Sequence, residues 1–197
     1  MVKPMIFKRT TSPLYFLPLG LVIVLSGCSY HKQITPLFKS QESLTRAEII
    51  KQLQCNDAKD NTADSLLPVA LYQQMNQCAE QGNYRSATLL FSLAGTYTWY
   101  DASRIDTDSA RNKHAQLLGE ALGRLAPERR EYLWRNIQSV LGDRQQLDTV
   151  CQMVRLIGPP AYQPDYMAGG EGKMMPDFSA LPRWDGALQN YLHCPID

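Results

Sequence analysis

No acidic side chain appears in the first 41 residues; Glu42 is the first. Histidine is scarce, with His31, His114 and His193 only. No two cysteines stand in a C-x-x-C pair, which argues against a zinc site of the paired-thiolate kind. H-E-x-x-H, G-x-S-x-G and nucleotide-binding glycine loops are also missing. The short signatures of zinc hydrolases, serine hydrolases and dinucleotide enzymes are therefore absent. No apolar run approaches the roughly 20 residues that cross a bilayer as a helix. The longest, Leu14 to Leu25, is interrupted by Pro18 and Gly20. No stretch alternates polar and apolar residues long enough to force a sheet. Basic and acidic residues nearly balance, 20 against 19, so there is no basic footprint for nucleic acid.

What is present begins with Lys3, Lys8 and Arg9, then the apolar block, then small residues. These are the parts of a secretory signal. Leu25-Ser26-Gly27-Cys28 resembles the bacterial lipobox. The resemblance implies a diacylglyceryl thioether on Cys28, cleavage before it, and a further acyl chain on the new amino group. Two or more acyl chains anchor stably, at about 0.8 kcal/mol per buried methylene. Ser29 resembles the outer-membrane-sorted class, since retention in the inner membrane usually goes with Asp at that place. The expected organisation is a signal peptide over 1–27, a lipidated tether over 28–42 and a helical periplasmic domain over 43–197. Removing 1–27 takes away three basic residues and no acidic one.

The other cysteines are Cys55, Cys78, Cys151 and Cys194. An even count in an oxidising compartment makes disulfides the default, and four cysteines allow three pairings. Cys55–Cys78 and Cys151–Cys194 are favoured, because each pair brackets a local loop or adjacent elements.

The rest reads as all-α: a small domain of antiparallel helices, stapled by disulfides. Thr45 and Glu48 form a capping box before a short helix with Ala47, Ile50 and Leu53. Leu66 to Glu80 and Tyr84 to about Thr96 give two more, broken at Gly82-Asn83. Asp106 and Asp108 are candidate caps for a helix carrying Ala110, His114, Leu117, Ala121 and Leu125. Pro127 opens the next, with Leu133, Trp134, Ile137 and Leu141 expected inward. Leu147, Cys151, Val154 and Ile157 mark a sixth. The periodicity stops over 158–176, a connection long enough to be functional or mobile. A last helix holds Trp184, Leu188 and Tyr191.

Gly82, Tyr84, Ala87, Phe91 and Ala94 resemble the second half of a tetratricopeptide hairpin. The resemblance covers roughly 30 residues, without a second copy or the family's usual residues in the first helix. It implies hairpin geometry and a helical binding scaffold, and no ligand residues are carried over. In that geometry Ala87 and Phe91 face inward, while Ser86 and Ser92 face away.

No catalytic set, metal site or cofactor is expected. His114 lies on an apolar stripe, where a hydrogen-bonded boundary residue is the ordinary reading. Trp99 is expected in the core. Tyr97, Tyr100, Tyr162, Tyr166 and Met167 are the candidate binding residues, with Tyr162 and Tyr166 expected to be partly exposed. The leading expectation is an outer-membrane lipoprotein facing the periplasm. It would be tied to the membrane by its lipid and bind an envelope protein, an immunity-type neutraliser of a toxin being one specific form. The alternative is an envelope hydrolase acting on peptidoglycan or lipid around His114.

Overall fold

The computed structural model describes residues 45–55, 66–105, 107–168, 174–175 and 179–195. The signal segment, Cys28, the tether and Asp106 lie outside the described residues. The described part is all-α, as the periodicities predict.

Helix α1, Arg46–Gln52, starts with the expected capping box. Thr45 Oγ1 accepts from the Glu48 backbone at 3.3 Å, and Glu48 Oε2 accepts from the Thr45 backbone at 2.8 Å. Its inward residue is Ile49, where the pattern pointed to Ile50. Helix α2, Pro68–Glu80, has the proline at its first position, where the missing N–H costs nothing. Leu71, Met75 and Cys78 are fully buried along it. Gly82 then takes φ +75°, a conformation that glycine adopts without a Cβ penalty. Asn83 caps α3, Tyr84–Ala102, accepting from the Ser86 backbone at 3.2 Å.

Helix α3 runs past its expected end and is buried on every side from Ser86 to Thr98. Helices α2, α4, α5, α6 and α8 all pack against it. This overturns the outward placement of the serines: Ser92 is 0% exposed and Ser86 8%. The hydroxyls are compatible with burial because they bond back to carbonyls. Ser92 donates to Thr88 O, Thr96 to Ser92 O and Thr98 to Gly95 O, all within 2.9 Å. Ser86 Oγ donates to Gln52 O at 2.7 Å and so ties α1 to α3.

Helix α4, Asp108–Arg124, is capped by Thr107 instead of an aspartate, through Ala110 N at 3.2 Å. Helix α5, Pro127–Gly142, buries Leu133, Ile137 and Val140. Trp134 is not inward; it remains 41% exposed. Asp143 ends α5 and also caps α6, Arg144–Ile157, through a 3.0 Å bond from Gln146 N. Gly158 at φ +78° closes α6.

Past Gly158 the chain forms a single turn, α7, Asp165–Ala168. Ile105 bridges to Met174, and Met175 N donates to Arg104 O. Helix α8, Ala180–Ala187, continues into a π-helical turn, Leu188–Leu192, ended by His193 at φ +58°. The disulfides pair as expected: Cys55 with Cys78 (Cα–Cα 5.1 Å) and Cys151 with Cys194 (5.7 Å).

Candidate functional site

Four of the five candidate binding residues converge, but in the interior, while Met167 packs with Ile105 and Ala110. Tyr97, Tyr100 and Met167 are 0%, 3% and 1% exposed, and only Tyr162 and Tyr166 keep partial exposure. The centre of the four is Asp101, itself 0% exposed. Tyr162 and Tyr166 each donate to Asp101 Oδ2 at 2.7 Å. Arg104 Nη1 donates to Asp101 Oδ1 at 3.1 Å and to Tyr162 O at 3.0 Å. Tyr97 donates to Gly158 O at 3.0 Å, and Trp184 packs on Tyr97 and Tyr100. Burial pushes the Asp101 carboxyl above its ordinary value, opposed by the tyrosine hydroxyls and Arg104. Burial, with the Asp101 charge next in size, also pushes the Tyr162 and Tyr166 phenols well up. The arrangement is a polar knot that pins the 158–168 segment to the end of α3. It is a structural use of tyrosines that look like contact residues in the sequence. Asp101 and Arg104 escaped the sequence reading; opposite charges three apart at the end of an apolar helix were the available signal.

Trp99 reverses in the other direction: expected in the core, it is 41% exposed. The reason is register. With Tyr97 and Tyr100 turned inward, residue 99 at 100° per step faces out. Trp99 packs on Tyr191 (ring centroids 6.0 Å) and His114 (6.3 Å). Tyr191 continues to Phe91 (6.0 Å), and Phe91 to half-exposed Trp134 (6.1 Å). The result is a row of rings with an exposed tryptophan at each end. Tyr191 fits because Gly95 lies beneath it; a Cβ there would collide with the phenol ring. The π-helical turn carries Tyr191 to this place, and irregular turns of this kind are frequent at functional sites.

His114 sits beside the row, with Thr98 Oγ1 2.8 Å from its Nδ1 and Tyr72 OH at 3.5 Å. Thr98 spends its proton on Gly95 O, so it accepts from Nδ1–H. The lone pair is then on Nε2. Burial lowers the His114 pKa from its ordinary value, favouring the neutral ring. His114 has no carboxylate partner among the described residues.

A second feature lies between α2 and α4. Val69, Tyr72, Gln73, Asn76, Leu117, Glu120, Ala121 and Arg124 line one hollow. Gln73, Asn76 and Arg124 are shared with a second, more open one that runs on to Gln77, Glu80, Gln81 and Leu125.

Among the described residues, no helix is long and apolar enough to cross a membrane, and no cluster of side chains could hold a metal ion. Comparison with protein-family models, with curated proteins and with solved structures finds no match.

Proposed function

We propose that the chain is an outer-membrane lipoprotein, anchored through Cys28, whose helical domain faces the periplasm and binds another envelope protein. The lipobox and the segment before it support the anchor. The observation that carries the binding role is the aromatic row, with Trp99 and Trp134 each 41% exposed beside buried Phe91 and partly buried Tyr191. Tryptophan held rigidly at a surface is the residue type most enriched where binding energy concentrates. An immunity-type neutraliser of a periplasmic toxin is one form of this role.

The hydrolase reading around His114 has less support, because Thr98 is committed to a backbone carbonyl and no carboxylate among the described residues meets the imidazole. The test is a crosslinked pull-down of the full tagged chain from membranes. A discrete envelope protein should be recovered, and Trp99→Ala or Trp134→Ala should reduce its yield at least about tenfold, as befits a hot spot. Equal recovery with both variants would remove the aromatic row from the interface.

A further inference from the structure

We infer that the segment Leu188–Cys194 is a latch: it seats Tyr191 over Gly95 in an unfavourable state and opens locally, taking the aromatic row apart. The consequence for binding rests on the row being the contact surface proposed above; the opening itself does not.

Three features load this segment. The Tyr191 hydroxyl is buried and has no hydrogen-bond partner among the described residues. Its burial pushes the phenol well above its ordinary value. The polar groups beside the row are already engaged with one another: Thr98 Oγ1 donates to Gly95 O and accepts from His114. A hydroxyl hidden in this way is stabilised wherever water reaches it, so the opened state gains what the closed state lacks. The second feature is the π-helical turn Leu188–Leu192, a rare geometry found mostly as single turns like this one. The third is His193, the single non-glycine residue at positive φ among the described residues. At φ +58° its Cβ crowds the backbone, a penalty that glycine escapes. Glycine fills the other two such positions, Gly82 and Gly158. All three features fall between Leu188 and His193.

What opposes opening is equally local. Leu188 and Leu192 are buried in the core, Arg155 Nη2 donates to Pro195 O, and Cys194 is bonded to Cys151. The disulfide stays intact when the turn opens. It keeps the segment within reach of α3, so release and return are intramolecular. Opening of one such unit below the free energy of global unfolding is the usual behaviour of weakly held elements.

The ring matters because of its place. Tyr191 links Trp99 to Phe91, with 6.0 Å between ring centroids on each side, and packs edge-on to His114 at 4.9 Å. When it leaves, Trp99 loses its neighbour and the backbone at Gly95 is bared. The row is thus a surface of the closed state only. The population of that state sets the apparent affinity of any partner that reads the row.

The test is hydrogen exchange of the full chain in detergent, followed by mass spectrometry. Peptides covering 188–194 should exchange at least about tenfold faster than those from the middle of α3. Tyr191→Phe deletes only the unpaired hydroxyl, so it should slow exchange of that segment about tenfold. A hydroxyl that helped to hold the turn would give the opposite sign. Tyr191→Ala should keep the helical circular dichroism and shift the tryptophan emission as Trp99 loses its cover. The inference is overturned if 188–194 exchanges as slowly as α3, if Tyr191→Phe exchanges as fast as the parent or faster, or if Tyr191→Ala unfolds the domain. Any of these results would leave the envelope-partner reading standing, since Trp99→Ala and Trp134→Ala decide that in the pull-down.

Discussion

Gly95 lies inside α3, where glycine ordinarily weakens a helix by about 1 kcal/mol relative to alanine. Propensity alone would make Gly95→Ala stabilising. The Tyr191 ring occupies the space of the missing Cβ, so the sign reverses. Gly95→Ala should cost about 1–3 kcal/mol in a urea melt, as an overpacked contact does. Adding Tyr191→Ala should recover part of the loss of the alanine variant, because the collision is then gone. His114 gives a pH-dependent counterpart. Its folded pKa lies below the unfolded value, so the unfolded chain protonates first as pH falls. Its contribution to stability is intact above about pH 6.5 and declines with acidification below that. The ring resonances of His114 should therefore titrate below the ordinary histidine range in NMR, and a midpoint at or above it would contradict the buried Thr98 contact. His114 is the hydrogen-bonded boundary residue that its apolar stripe predicted, whereas the role of Gly95 was not legible in the sequence. Gly95 has no turn to mark it, and the partner that fixes its identity is 96 positions away.

At the scale of elements, capping and breaks were readable because they are local. Thr45 with Glu48, Pro127 and Gly82 each act on the few residues beside them. The orientation of α3 was not readable, because a helix enclosed on all sides has no polar face to reveal it. Hydroxyls that bond to their own helix remove the contrast on which periodicity depends. Ser92→Leu should accordingly be damaging, costing about 1–3 kcal/mol like Ala87→Leu. Ser86→Ala should cost about 1 kcal/mol by leaving Gln52 O without its donor. Thermal and urea unfolding of the three variants checks this; a Ser92→Leu variant as stable as the parent would contradict the packing of α3. The same enclosure explains why four of the five candidate contact residues became a knot. Their clustering was visible in the sequence, but the buried carboxylate they converge on was not. Tyr162→Phe and Tyr166→Phe should each lose about 1.5–3 kcal/mol, the range for a hydrogen bond to a charged group.

Across the whole molecule, the two disulfides act at separate places. One joins the end of α1 to α2 across 23 positions, and the other ties α6 to the last residues across 43. Loop-closure entropy assigns them about 3.4 and 4.0 kcal/mol. Cys151→Ser/Cys194→Ser should lower the melting temperature at least as much as Cys55→Ser/Cys78→Ser. It should also loosen the Tyr191 turn, which would show as a changed tryptophan emission. Four free thiols in protein made in the periplasm would contradict both bridges. The pairing was legible because cysteine spacing and helix order both narrow it. The lipid is tested separately: Cys28→Ala should take up no acyl label and accumulate as precursor, whereas continued labelling would contradict the anchor.

Asp143 serves as the C-cap of one helix and the N-cap of the next, so it is the single residue between α5 and α6. One extra residue at this corner, where Asp143 is extended (φ −94°, ψ 120°), would displace the start of α6 by up to about 3.5 Å. Cys151 would swing away from Cys194, and the closing segment would lose its mooring. Homologues should therefore show substitutions here but no change in length. Anyone grafting an epitope or a fluorescent reporter into this chain should avoid this junction.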